Sequence, residues 1–183
     1  MKNKLMKLIA GGVAALSLGA IPAFAAGTSS NQLSFGLTAN VTSFLTLTTL
    51  TPSYDFGTVL AGSTTSQLVP FTVTSAWALG SGQTVKMYAY FGTSAAAMTG
   101  TATGTNIPVT AFTGSVDLGS AQAFSATNPF GGSNAIQMYS QTLSLLTAIS
   151  TRVDTLGLTM NLSGVNLQPD AYTGTLYIQA QAL

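Results

Sequence analysis

The hydrophobic and polar positions of this chain fall into short runs that alternate with period two. Leu33, Phe35, Leu37, Ala39 and Val41 are apolar, and Gln32, Ser34, Gly36, Thr38, Asn40 and Thr42 separate them. Leu45 and Leu47 resume the odd-numbered apolar face after Ser43, while Phe44 interrupts the polar one. Alternation of this kind predicts a strand with one buried side. The run from Leu33 to Leu47 would span roughly 50 Å at about 3.3 Å per residue, far more than an ordinary strand. It therefore reads as two strands, Leu33–Val41 and Phe44–Leu50, with a change of direction near Thr42-Ser43.

Further strands follow at short intervals. Tyr54–Val59 comes after the turn signal Thr51-Pro52-Ser53 and runs into the turn Ala61-Gly62-Ser63. Leu68–Trp77 alternates through Phe71, Val73 and Trp77, which predicts a core position for Trp77. Val85–Phe91 places Val85, Met87, Ala89 and Phe91 on one face and Tyr88 and Tyr90 on the other. Residues 99–133 hold only weak strand seeds, at Ile107-Pro108-Val109 and Ser115-Val116-Asp117, before the loop Asn128–Gly132. From Ala135 to Ser150 two periods compete, and the segment reads as a strand Ile136–Ser140 followed by a loop or one short helical piece. Leu156–Leu162 alternates again. In the closing run Tyr172–Leu183, residues Tyr172, Leu176, Ile178, Ala180 and Ala182 share one face. Strands punctuated this regularly by Gly, Pro and Ser predict an all-β antiparallel sandwich over residues 43–183, preceded by an N-terminal strand extension at 26–42.

Composition narrows the chemistry. Of the 183 residues only 5 % are charged, against about a quarter in an average soluble protein, and there is no Glu, His or Cys. Disulfides, thiol nucleophiles, Cys/His zinc sites and imidazole bases are excluded. A net charge of +1 gives a nucleic-acid backbone nothing to bind. Lys2, Lys4 and Lys7 precede an apolar run Leu8–Ala20 and the small-x-small site Ala23-Phe24-Ala25, the pattern of a Sec signal peptide over residues 1–25. The mature chain is then expected outside the cytoplasm, secreted or at the cell surface, with no membrane span after signal removal. It would keep Lys86 and Arg152 against Asp55, Asp117, Asp154 and Asp170. Thr, Ser, Asn and Gln must hydrate a surface this poor in charge, and little self-repulsion opposes association.

No constellation points to catalysis, to a metal or to a cofactor. The four Asp are scattered, and Asp55, Asp117 and Asp170 stand near Gly or Pro, as turn residues do. A serine nucleophile would have only Lys86 as a base, so a hydrolase is a distant third reading. Asn40-Val41-Thr42 and Asn161-Leu162-Ser163 match the glycosylation pattern and are expected to be unmodified, since the signal peptide looks bacterial. Tyr88 and Tyr90 are the candidate surface aromatics for binding.

The segment Pro169-Asp170-Ala171-Tyr172-Thr173-Gly174-Thr175-Leu176-Tyr177-Ile178 resembles the Pro-x-x-Tyr-x-Gly-x-Leu-x-Ile final hairpin of secreted bacterial immunoglobulin-like modules, fimbrial subunits among them. The whole chain also resembles uncharacterised secreted β-proteins of soil bacteria with a Phe-Gly-x-Val strand, here Phe56–Val59, and an Ile-Pro segment, here Ile107-Pro108. The resemblance implies an immunoglobulin-like β-sandwich. In pilins of the donor-strand type an alternating N-terminal extension fills a groove in the neighbouring subunit. On that likeness Leu33, Phe35, Leu37, Ala39 and Val41 would be the donor anchors. The protein would be a structural subunit of an extracellular filament or surface layer. Its partners would be copies of itself, with a periplasmic chaperone or outer-membrane assembly protein as a further implied partner. The chain departs from many chaperone–usher pilins in lacking a disulfide and a penultimate C-terminal aromatic. The competing reading is a secreted carbohydrate- or matrix-binding β-sandwich that uses Tyr88 and Tyr90.

Overall fold

A computed structural model describes Ala39 and residues 42–50, 53–66 and 70–183. The signal segment 1–25, the donor anchors Leu33, Phe35, Leu37 and Val41, the acceptor Asn40 and the start of the expected strand at Leu68 lie outside the described residues. The fold is that of the unit Val41–Leu183.

It is all-β, with several antiparallel sheets and no α-helix among the described residues. The strands are β1 (Phe44–Thr49), β2 (Thr64–Ser66), β3 (Phe71–Ala78), β4 (Thr84–Phe91), β5 (Met98–Gly100) and β6 (Asn106–Ile107), then β7 (Phe112–Val116), β8 (Gln122–Ala123), β9 (Ala135–Thr142), β10 (Ile149–Asn161), β11 (Tyr172–Thr173) and β12 (Leu176–Ala182). The largest sheet has the order β1-β3-β10-β7-β8, with β2 also on β10; a second has the order β12-β4-β9; a small third has β11-β5-β6.

Alternation explains which faces are buried. Val73 and Trp77 of β3 and Leu156, Leu158 and Met160 of β10 turn inward from the largest sheet. Met87, Ala89 and Phe91 of β4 and Ile136 and Met138 of β9 turn inward from the second. All but Trp77, which packs with Val85 and Leu143, meet in one core together with Phe112 and Ile107. The core position expected for Trp77 is the one observed; its indole N–H donates to the Thr147 carbonyl at 2.9 Å.

Two expectations need correction, and a third narrows to one of its alternatives. Tyr54–Val59 is no strand. Asp55 Oδ1 accepts the Gly57 N–H at 2.8 Å, Gly57 takes φ +69°, and the segment lies irregularly with Tyr54, Phe56 and Val59 half-buried. The closing run is broken at Gly174-Thr175 into β11 and β12, because Gly174 passes so close to the Ala97 carbonyl that a Cβ there would overlap it. Ala135–Ser150 takes the first of its two readings, a strand followed by a loop: β9 extends to Thr142 and a turn closed by Thr147 N–H to Ser144 C=O leads into β10.

Candidate functional site

Two strands end their sheets on the same side of the molecule. β1 pairs only with β3 and β12 only with β4, so each has one edge without a partner among the described residues. The two touch one another across the opening. Between them lies a cleft of about 450 Å³. Leu47 of β1, Phe71 and Val73 of β3, Phe91 of β4, and Leu176 and Ile178 of β12 line it. Phe112 and Leu158 are also in its wall, and Tyr54 and Phe56 from the irregular segment complete it.

The aromatic part of this wall is held by ring-to-ring contacts, edge to face at Tyr54–Phe56 and Phe56–Phe112 and tilted at Phe112–Phe91. Tyr54 meets Phe56 at 5.2 Å between centroids, Phe56 meets Phe112 at 6.2 Å, and Phe112 meets Phe91 at 5.2 Å. Such contacts fix ring positions as well as burying area, so the cleft has a formed wall before anything enters it.

Neither rim is guarded. Natural edge strands are usually blunted by charged residues, prolines or bulges. β1 reads FLTLTT and β12 reads LYIQAQA, with no charge and no proline in either. The hydroxyls of Thr46 and Thr49 donate back to the carbonyls of Ala76 and Thr72 on β3, at 3.3 and 2.9 Å. Those bonds tie both side chains back onto β3.

The charged side chains are placed elsewhere. Arg152 contacts Asp154 Oδ1 at 2.6 Å and Asp117 Oδ2 at 2.9 Å, and its guanidinium lies 4.4 Å from the Tyr139 ring centroid. Asp154 is fully buried and its Oδ2 has no hydrogen-bond partner. Burial raises the Asp154 carboxyl above its ordinary value, against the pull of Arg152, while the hydrogen bond to Asp154 raises Arg152. Burial also raises Tyr139. Asp117, at φ +49°, accepts the Thr155 N–H at 2.8 Å. Asp170 clasps the turn before β6: it accepts the Thr103 N–H and hydroxyl, each at 2.8 Å, and the Ala102 N–H at 3.0 Å. These bonds hold its pKa down to about 2. Asp117 and Asp170 thus do the turn work expected of them. The buried role of Asp154 had no signal in the sequence beyond its apolar-face parity with Leu156 and Leu158.

No family model, curated protein or solved structure matches the chain.

Of the residues expected to form a site, Ala39 is exposed and the other four donor anchors lie outside the described residues. Tyr88 and Tyr90 do point away from the core on β4, but they are not surface aromatics: they are 6 % and 8 % exposed because Phe130 packs on both rings. The exposed ring of that face is Tyr177, at 46 %. No group of three or more Asp, Glu, His or Cys is arranged to hold a metal among the described residues. The cleft is lined by uncharged, mostly apolar and aromatic residues, between two main-chain edges. It can take alternate apolar side chains and hydrogen-bond the backbone that carries them.

Proposed function

We propose that this chain is the structural subunit of an extracellular filament, pilus-like or fimbria-like, or of a surface layer. It is exported by the signal segment 1–25 and folds as an immunoglobulin-like β-sandwich. It polymerises when residues 31–42 of one copy enter the cleft of the next. The observation that carries the reading is the open apolar cleft between β1 and β12 with both rims unguarded. The segment preceding β1 supplies the complementary pattern, five apolar residues at alternate positions with Leu and Phe anchors. A strand laid there would bond main chain on its free edges, and its anchors would meet Leu47, Phe71, Leu176 and Ile178. The scarcity of charge fits the same reading, because it leaves copies free to approach at any salt concentration.

The decisive experiment is light-scattering mass after size exclusion, on residues 26–183 and on a chain that starts at Ser43. The first should give a ladder or polymer and the second, at the low concentration of the column, a monomer with no ladder. Ile178→Lys in the longer chain should also give a monomer, since it puts a charge into the cleft wall. A synthetic peptide of residues 31–42 should raise the melting temperature of the shorter chain; at a hundred times its Kd the gain is about 2.7 kcal/mol. Two clean monomers with no response to the peptide would overturn the proposal.

A further inference from the structure

We infer that the outward face of β12, β4 and β9 is a binding site for a neutral glycan, built on the ring of Tyr177 and the amides of Gln179 and Gln137. The site is separate from the cleft. Tyr177 and Gln179 point out from β12 at the alternate positions, whereas Leu176 and Ile178 point in. Both surfaces can be occupied together.

Strand register sets the geometry. Tyr177, Tyr90 and Ala135 form one cross-strand row, and Gln179, Tyr88 and Gln137 form the next. Rows on one face lie about 7 Å apart and strands about 4.8 Å apart, so Gln179 lies one row from Tyr177 and Gln137 about 12 Å from it, a span of two or three sugar units. Phe130 stacks on Tyr90 at 6.1 Å and 22°, and Tyr90 stacks on Tyr177 at 5.5 Å and 24°. Tyr177 is therefore the last of three nearly parallel rings, and it sits on an edge strand. The stack holds it in place, so binding need not order it, which removes a cost that a free side chain would carry. Gly92 keeps the edge of that ring open; a Cβ there would lie 3.7 Å from Tyr177 Cε2.

The polar groups are suited to hydroxyls. Tyr90 Oη donates to Gln179 Oε1, which orients that amide and leaves its NH₂ to donate outward. Gln137 is exposed and its amide has no partner among the described residues. Tyr88 has a buried ring, yet its hydroxyl is neither hydrogen-bonded nor among the buried orphan atoms, so it reaches the surface. A sugar offers a C–H face to an aromatic ring and hydroxyls that both donate and accept. This face offers a fixed ring and groups that also do both. Neither row holds a charge; Lys86, in the next row between Gln181 and Ser140, is the one charge on these three strands, and no arginine stands there to fork onto an acid. The complement is a neutral polymer rather than an anionic one.

The test is affinity gel electrophoresis of residues 26–183 in gels containing hydroxyethylcellulose, glucomannan or dextran, with polygalacturonate as the anionic control. Retardation in at least one neutral gel is expected. Tyr177→Ala should weaken it about tenfold, Gln137→Ala about threefold, and Tyr177→Phe hardly at all. Trp77 fluorescence checks that each variant is folded. If Tyr177→Ala unfolds, Gln137→Ala decides, because that side chain holds nothing else in place. Retardation in no neutral gel, retardation by polygalacturonate alone, or folded Tyr177→Ala and Gln137→Ala variants retarded like the parent would each overturn the inference.

Discussion

Replacing Arg152 by Met should convert a paired buried carboxylate into an unpaired one. Asp154 is 0 % exposed and keeps Oδ1 on Arg152 with Oδ2 unpartnered, so the guanidinium is its main compensation. Removing one member of a buried pair typically costs about 3–5 kcal/mol. A second route gives the same size. The orphaned carboxyl escapes its charge by taking a proton. From the ordinary value of 3.8 up to pH 7 that costs about 1.4 kcal/mol per unit, or about 4 kcal/mol in all. At pH 4 the proton is nearly free, and what remains is the lost contact with Tyr139, about 1 kcal/mol. Arg152→Met should therefore destabilise by about 4 kcal/mol at pH 7 and by about 1 kcal/mol at pH 4. Arg152→Met with Asp154→Leu should return to within about 1 kcal/mol of the parent at both. The assay is urea unfolding followed by fluorescence of Trp77, the only tryptophan and a buried one. A cost that is the same at both pH values, or a double variant as weak as the single one, would refute the reasoning.

Opposite pH slopes are expected from Asp170 and, in the parent chain, from Asp154 itself. Asp170 has a pKa lowered to about 2, so its contribution is complete above about 4 and is lost as pH falls towards 2; Asp170→Asn should flatten the acid limb of a melting-temperature profile. In the parent, Asp154 binds its proton more tightly folded than unfolded, so its contribution falls as pH rises from near 3.8; Asp154→Asn should flatten that limb. Gly100→Ala should lower the melting temperature through the same clasp as Asp170, since a Cβ would stand 2.5 Å from Asp170 Oδ2. Gly114→Ala should cost about 1–3 kcal/mol, because its Cβ would meet Ile136 Cδ1 at 2.6 Å and Leu156 Cδ1 at 2.9 Å, and Ile136→Val should recover part of it in urea unfolding.

Period-two alternation read well wherever a strand has one wet face and one dry face. The inward residues of β3, β4, β10 and β12 follow it closely. It failed where a segment is held by something other than a ladder. Tyr54 and Phe56 look like strand residues but are wall groups of the cleft, turned inward from irregular chain that an aspartate turn has bent. The stretch between β4 and β9 was opaque because its strands are two to five residues long and its side chains small. Alternation also could not tell an outward face from an exposed one: Tyr88 and Tyr90 have the outward parity, and only the distant Phe130 decides that they are covered. The cleft itself was not legible at all. It depends on two strands more than a hundred residues apart ending their sheets on the same side.

The placement of charge and the state of the edges belong to one problem. A chain with so few charges has few with which to guard an open strand. Here Arg152, Asp117 and Asp154 go into one network and Asp170 into a turn clasp, and none stands on β1 or β12. Two edges without charge or proline beside an apolar cleft would ordinarily make a protein associate without limit. Limited association requires that something specific reach the edges first. On the proposed assembly, the alternating segment 31–42 directly before β1 would meet that requirement by proximity and by pattern. A chain deprived of residues 31–42 should accordingly lose ordered assembly and gain amorphous aggregation as its concentration rises. Lysine introduced at Thr46 or Gln179, on the outward side of the two edges, should suppress that aggregation without filling the cleft. If the shortened chain stays monomeric at high concentration without those lysines, the edges are covered by some other means and the link between charge placement and assembly fails.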